Sequence, residues 1–171
     1  IILFMSITGG RITEACNLTF ADVNLEQRTA TLWHTKNGKS RTVEFPASFG
    51  EVIQALCDAE LEKHRDGAAA QSIGETRVFG YTSRFSVNQA IERVVDRINV
   101  ESGAGVYEHI PRGHGKRKKR VVRLIKPAVV RYMSSHQIGR HGFAARLLRK
   151  GYSLKLTQEA GGWASLQVVD E

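Results

Sequence analysis

The sequence predicts an α+β fold, mainly α-helical with one small antiparallel β-sheet formed by a hairpin near residues 29–45. Three observations carry this. Apolar residues recur at helical spacing over 47–64, 86–100 and 135–150. An Asn37-Gly38 step, the strongest short hairpin signal, separates two runs rich in β-branched residues. The 171 residues are 42% hydrophobic and 25% charged with a mean hydropathy of −0.27, which fits one domain with a substantial core and argues against a disordered or repeat chain.

Taken in order, the apolar start Ile1-Ile2-Leu3-Phe4 reads as the inside of a helix, which Thr8-Gly9-Gly10 breaks. Residues 11–18 form a short helix with Ile12, Ala15 and Cys16 on its buried side and Arg11 at its N-terminal end. Residues 29–36 alternate as a strand, and 40–45 form the return strand. Lys36 and Lys39 lie close to the turn between them. Val52, Ile53, Leu56, Cys57 and Leu61 mark a helix over 47–64, followed by a small-residue connection at 67–74 and a short strand at 77–81. Val87, Ala90, Ile91, Val94, Val95 and Ile98 give the next helix, 86–100, one apolar face. Residues 103–119 read as a polar, basic loop or arm. Three helical pieces follow, at 135–150, 153–160 and from 164 onward, separated by Gly151 and by Gly161-Gly162.

The net charge of +8 hides an asymmetry. Between Glu108 and Glu159 there is no acidic residue but there are 14 basic ones, including Lys116, Arg117, Lys118, Lys119 and Arg120, whereas the remainder of the chain is net acidic. Such a segment attracts polyanions through phosphate neutralisation and counterion release, which makes nucleic acid the natural partner; solvated surface charge is the competing reading of the run alone. Aromatic residues do not interleave with the cations, which favours duplex DNA over single strands. The longest apolar run, residues 1–5, is far shorter than the roughly 20 residues of a membrane span and lacks the flanks of a signal peptide. Cys16 and Cys57 have no partners at metal-ligand spacing, so two reduced, largely buried thiols are expected. These features imply a cytoplasmic, DNA-associated protein. The first residue is Ile, and the chain reads as a piece of a longer protein.

Six features recur together and in order: Thr8-Gly9-Gly10-Arg11-Ile12-Thr13-Glu14-Ala15; Lys36 on a hairpin; His136-Gln137-Ile138-Gly139-Arg140-His141; Leu147-Leu148 with Gly151; Leu154-Lys155; and Gln158-Glu159-Ala160-Gly161-Gly162-Trp163. Any one of them is weak, but the ordered set, which covers nearly the whole chain, resembles the catalytic domain of the tyrosine recombinases, the phage integrase family.

The resemblance implies that Arg11, Lys36, His136, Arg140 and Trp163 surround one scissile phosphate, with no metal and no cofactor. Two guanidinium forks match the charge that develops on the nonbridging oxygens of a pentacoordinate phosphorus. Lys36 would protonate the leaving 5′ oxygen, with Lys39 as the alternative donor. His136 would take the proton of the attacking phenol, with Gln137 as a non-titrating substitute. Trp163 would donate its indole N–H to a phosphate oxygen, or serve as a core tryptophan. Glu14 would be a structural partner for a buried basic group, and His141 a packing residue.

The family spacing is His-x-x-Arg, whereas His136 lies four residues before Arg140. On a helix, i+3 and i+4 are both neighbours on one face. Alignment on Trp163 puts the family's nucleophilic tyrosine immediately after Glu171; Tyr81, Tyr107, Tyr132 and Tyr152 fall in no matching segment. The resemblance thus implies a single truncated catalytic domain over 1–171, with a core-binding domain and the nucleophile-bearing tail outside it. The parent would be a site-specific recombinase acting as a homo-tetramer on double-stranded DNA. A non-catalytic DNA-binding remnant of a mobile element is the alternative. The basic arm, 112–126, is longer than the family's connection and reads either as a DNA-contacting insertion or as a solvated loop.

Overall fold

The computed structural model describes residues 1–33, 40–63, 73–103 and 128–163 in full and 107–112 and 119–124 by their backbone. The architecture is mainly helical with a small three-stranded antiparallel sheet, the class the sequence predicts. Two compact units are present, residues 1–87 with 135–171, and residues 88–134.

In the first unit, α1 (Ile2–Thr8) is the apolar start, with Phe4 and Met5 fully buried. It stops at Gly9, whose φ of 68° is the left-handed conformation that glycine adopts without Cβ strain, and the Gly9 N–H donates to the Met5 carbonyl. Helix α2 (Ile12–Asn17) begins directly after Arg11, its N-cap. Glu14 on its first turn accepts the Arg11 backbone N–H at 2.8 Å, satisfying a donor that the helix start would otherwise leave open.

Strands β1 (Val23–Asn24), β2 (Thr29–Leu32) and β3 (Arg41–Glu44) form the sheet in that order. Ala30 pairs with Val43 and Leu32 with Arg41. A two-residue turn on Asn37-Gly38 would instead set Leu32 opposite Val43. The offset of two keeps the same side chains on the core face, where an offset of one would have turned them out. Residues 34–39, with Lys36 and Lys39, lie outside the described residues.

Helix α3 (Ala47–Lys63) buries Phe49 and Ile53, while Val52, Leu56 and Leu61 are exposed. Phe49 packs on Phe4 and Phe45, at ring-centroid distances of 5.9 and 5.8 Å. Cys16 is buried as expected, whereas Cys57, on the half-covered side of α3, is only partly buried. The strand expected at 77–81 is absent: Arg77 makes a single bridge to Thr19 and the chain then turns, with Gly80 at a φ of 64°. One bridge holds the segment because Leu18 and Val78 are both buried there.

The C-terminal helical region departs from a plain α-helix. Residues 137–141 form a π-helical turn, Gln137–His141, which runs directly into α5 (Gly142–Arg149). Ser153 caps α6 (Leu154–Gly161), its hydroxyl accepting the Leu156 N–H at 3.2 Å, and Gly162 ends it with a φ of 62°. Residues from 164 onward, expected to be helical, lie outside the described residues.

Helix α4 (Arg84–Glu101) enters the second unit after Val87, its buried residue in the first. The apolar face expected along it is not uniformly covered, since Val94 and Ile98 are exposed and Asn99 is buried instead. The Asn99 carboxamide exchanges two hydrogen bonds with the Val130 backbone, at 2.9 and 3.0 Å, which is what makes burial of this polar group tolerable. The segment expected to be a loop, 103–119, contains β4 (Tyr107–Arg112), which pairs antiparallel with β5 (Lys119–Leu124). Ile110 and Val121–Val122 supply β-branched residues to this ribbon, a signal that the Gly and Lys content around it masks. Lys119 and Arg120 open β5; Lys116, Arg117 and Lys118 lie outside the described residues. No described helix is long and apolar enough to cross a membrane.

Candidate functional site

Three glycines let four segments of the first unit meet. A Cβ on Gly9 would lie 3.0 Å from the Phe143 ring and 3.2 Å from the Gly161 Cα. A Cβ on Gly139 would lie 2.7 Å from the Met5 Cβ, and one on Gly161 would overlap the Trp163 indole. Helix α1 with the turn that follows it, the π turn bearing Arg140, α5 and the end of α6 are thereby in contact. The Arg146 guanidinium adds a 3.1 Å bond to the Ile7 carbonyl.

At this junction Glu14 is buried, its side chain 1% exposed. Its Oε1 accepts from Arg11 Nη1 at 2.7 Å, and its Oε2 accepts from the Arg11 backbone and from Arg41 Nη2 at 3.3 Å. Burial alone would raise the Glu14 pKa. The backbone and guanidinium hydrogen bonds from Arg11, with the charges of Arg41 and Arg11, outweigh it and hold the carboxyl below its ordinary value. The acidic residue expected to be a structural partner therefore serves two arginines.

Arg140 is buried and lies over the Trp163 ring, its Cζ 4.8 Å from the centroid. Burial and repulsion from Arg11 and Arg41, only partly offset by Glu14, push its guanidinium down to about 10, so it stays charged at neutral pH. Arg11 and Arg140, 129 positions apart in sequence, thus share one electrostatic environment. Trp163 packs edge-on against Phe143 at 6.0 Å and is 5% exposed, so it is a core residue. Its indole N–H, the Arg140 Nε–H and the Arg41 Nε–H are buried and have no hydrogen-bond partner among the described residues. Such donors are costly unless something accepts from them.

His136 precedes the π turn, is exposed, and lies edge-on to His141 at 5.0 Å. A π turn closes i→i+5 hydrogen bonds and so holds about one residue more per turn than an α turn. The four-residue interval from His136 to Arg140 therefore subtends about the angle that three residues span in an α-helix.

Arg41 was not singled out by sequence reading, although a signal exists. Strand alternation puts it on the same face as the buried Val43, which marks it as an inward-facing cation.

The phage integrase family profile matches residues 1–171, the whole chain. Tyrosine recombinase XerA of Pyrococcus furiosus is 26% identical over 169 residues, 99% of this chain and 47% of that protein. Tyrosine recombinase XerD of Mycobacterium tuberculosis is 27% identical over 164 residues, 93% of this chain and 42% of that protein. The chain thus spans about half the length of the curated relatives it matches. Among solved structures, the fold is similar to that of XerA recombinase, with a TM-score of 0.57 and 22% identity over 95% of this chain and 47% of the other. It is also similar to the Tn1549 transposon integrase in complex with a circular intermediate DNA, with a TM-score of 0.63 and 19% identity over 98% of this chain and 51% of the other. A match along every residue, agreement in fold, and the ordered segments from Arg11 to Trp163 have one common explanation: the chain belongs to the phage integrase family.

Proposed function

We propose that this chain is the phosphate-binding part of a site-specific DNA recombinase that cleaves and rejoins duplex DNA by transesterification. The observation that carries the reading is the cluster of Arg11, Arg41 and Arg140 around the single carboxylate of Glu14, with the Arg140 and Trp163 N–H donors unpartnered. Three cations against one anion leave a net positive site, and buried N–H groups await an acceptor of opposite sign. A phosphodiester oxygen meets both needs.

In this reading Arg11, Arg140 and Trp163 stabilise the charge that builds on the nonbridging oxygens as a tyrosine oxygen attacks phosphorus. His136 accepts the phenol proton and Lys36, or Lys39 beside it, protonates the departing 5′ oxygen. The phosphotyrosyl bond conserves the phosphodiester energy, so that rejoining reverses the same steps. The tyrosine is supplied by the intact protein, which works as a tetramer on two duplex sites. The basic segment holds the duplex, with Lys116 to Arg120 as phosphate contacts. Support for DNA as partner also comes from proteins of similar fold, a Tn1549 integrase in complex with a circular intermediate DNA and a XerH recombinase bound to its difH substrate.

The test is covalent trapping on a nicked suicide duplex by the intact protein. Arg11→Ala or Arg140→Ala should each lower trapping by two to three decades, roughly 3–4 kcal/mol of barrier. Duplex affinity should fall only modestly. Near-normal trapping by either variant would remove the phosphate-clamp reading.

A further inference from the structure

Arg41 opens β3, 27 positions from Glu14 and 121 from Gly162, yet its side chain meets both segments. Its Nη2 donates to Glu14 Oε2 at 3.3 Å and to the Gly9 carbonyl at 3.4 Å, both acceptors belonging to the stretch that carries Arg11. On its other side it lies against Gly162, where a Cβ would be 3.1 Å from its Cδ and 3.2 Å from its Nε and Nη1. One guanidinium therefore joins the sheet, the start of α2 and the turn that delivers Trp163.

The arrangement bears on what Glu14 can do. A buried carboxylate among three guanidiniums is the internal competitor of any anion that enters, because it can pair with the same donors. Glu14 attracts Arg140 electrostatically, but both its oxygens are already engaged by Arg11 and Arg41. Losing the Arg41 bond would leave Oε2 held by the Arg11 backbone N–H alone and remove one of the two cations that compete with Arg140 for the carboxylate.

We propose that Arg41 is a positioning residue of the phosphate clamp: it holds the Glu14 carboxylate on the Arg11 side of the site, keeping Arg140 free for the substrate phosphate, and seats the Gly162 turn that presents Trp163. The proposal rests on the phosphate-clamp reading above. A purely structural ion pair would lower stability without altering anion affinity, which separates the two roles.

The experiment is a titration of the chain with inorganic phosphate, followed by the 15N–1H resonances of the Arg140 Nε–H and the Trp163 indole N–H. In the wild-type chain both should move on one saturable curve. If neither moves, the phosphate-clamp reading and the proposal fall together. Where the wild type binds, Arg41→Gln should weaken phosphate at least tenfold and Arg41→Lys about threefold, since lysine keeps the charge but not the planar fork. The Arg140 resonance of either variant should be displaced before any phosphate is added. Phosphate binding by Arg41→Gln within twofold of wild type, at whatever thermal stability, overturns the positioning role while leaving the clamp intact. Should Arg41→Gln not fold, Arg41→Lys decides: wild-type affinity with an unshifted Arg140 resonance overturns the proposal, and a threefold loss with a shifted one supports it.

Discussion

Glu14 holds Arg11 and Arg41 through one buried carboxylate. Its folded pKa lies below the ordinary carboxylate value, so its contribution to stability is fully present above that value and is lost as pH falls through the folded pKa. Glu14→Gln removes the partner of two partly buried guanidiniums and should cost about 3 kcal/mol at neutral pH. Urea denaturation at pH 7 and again below pH 4 checks the sign: the gap between variant and wild type should narrow in acid. A gap that is constant or widens with acidification would mean that the carboxylate is not what holds Arg11 and Arg41. Arg140 presents the opposite case. Its depressed pKa of about 10 reflects a cation that burial and its neighbours disfavour, and anion binding is what would relieve that cost.

Among the elements, the π turn is packed most closely against a neighbour at its glycine. Gly139 sits against Met5 of α1 with no room for a Cβ. Gly139→Ala should therefore overpack the junction and cost about 2 kcal/mol, a fall of several degrees in Tm measurable by thermal denaturation. An unchanged Tm would show that α1 can yield and that the turn is not wedged against it. Helix α6 depends on a local device instead. Ser153→Ala removes the hydroxyl that accepts the Leu156 N–H and should cost about 1 kcal/mol, visible as a lower urea midpoint with an unchanged slope.

Over the whole molecule, charge is partitioned along the chain more sharply than the total of +8 conveys. Neutralising Lys116, Arg117, Lys118, Lys119 and Arg120 should reduce the slope of log affinity for duplex DNA against log salt by several counterions, with the chemistry of bound complexes unaltered. A slope equal to that of wild type would make the segment a bystander. The same assay with RNA at matched salt asks whether the duplex is preferred, as the lack of interleaved aromatic residues suggests.

The sequence by itself determined the helices up to α6, the pairing of the strands on either side of Asn37-Gly38 and the order of the segments that contain Arg11, Arg140 and Trp163, because helical and strand periodicities and glycine stops act within a few residues of backbone. It misread 103–119, where glycines and lysines obscured a β-ribbon, and it ran 135–150 as one helical piece, where a π turn packs against α1 from the far end of the chain. Tertiary structure alone decided that Arg41 joins Arg11 on Glu14, that Trp163 is at once core residue and unpartnered donor, and that Arg140 is buried beside them. A buried charge network is a long-range solution: its members are chosen by which segments the packing brings together, and no local pattern records that meeting.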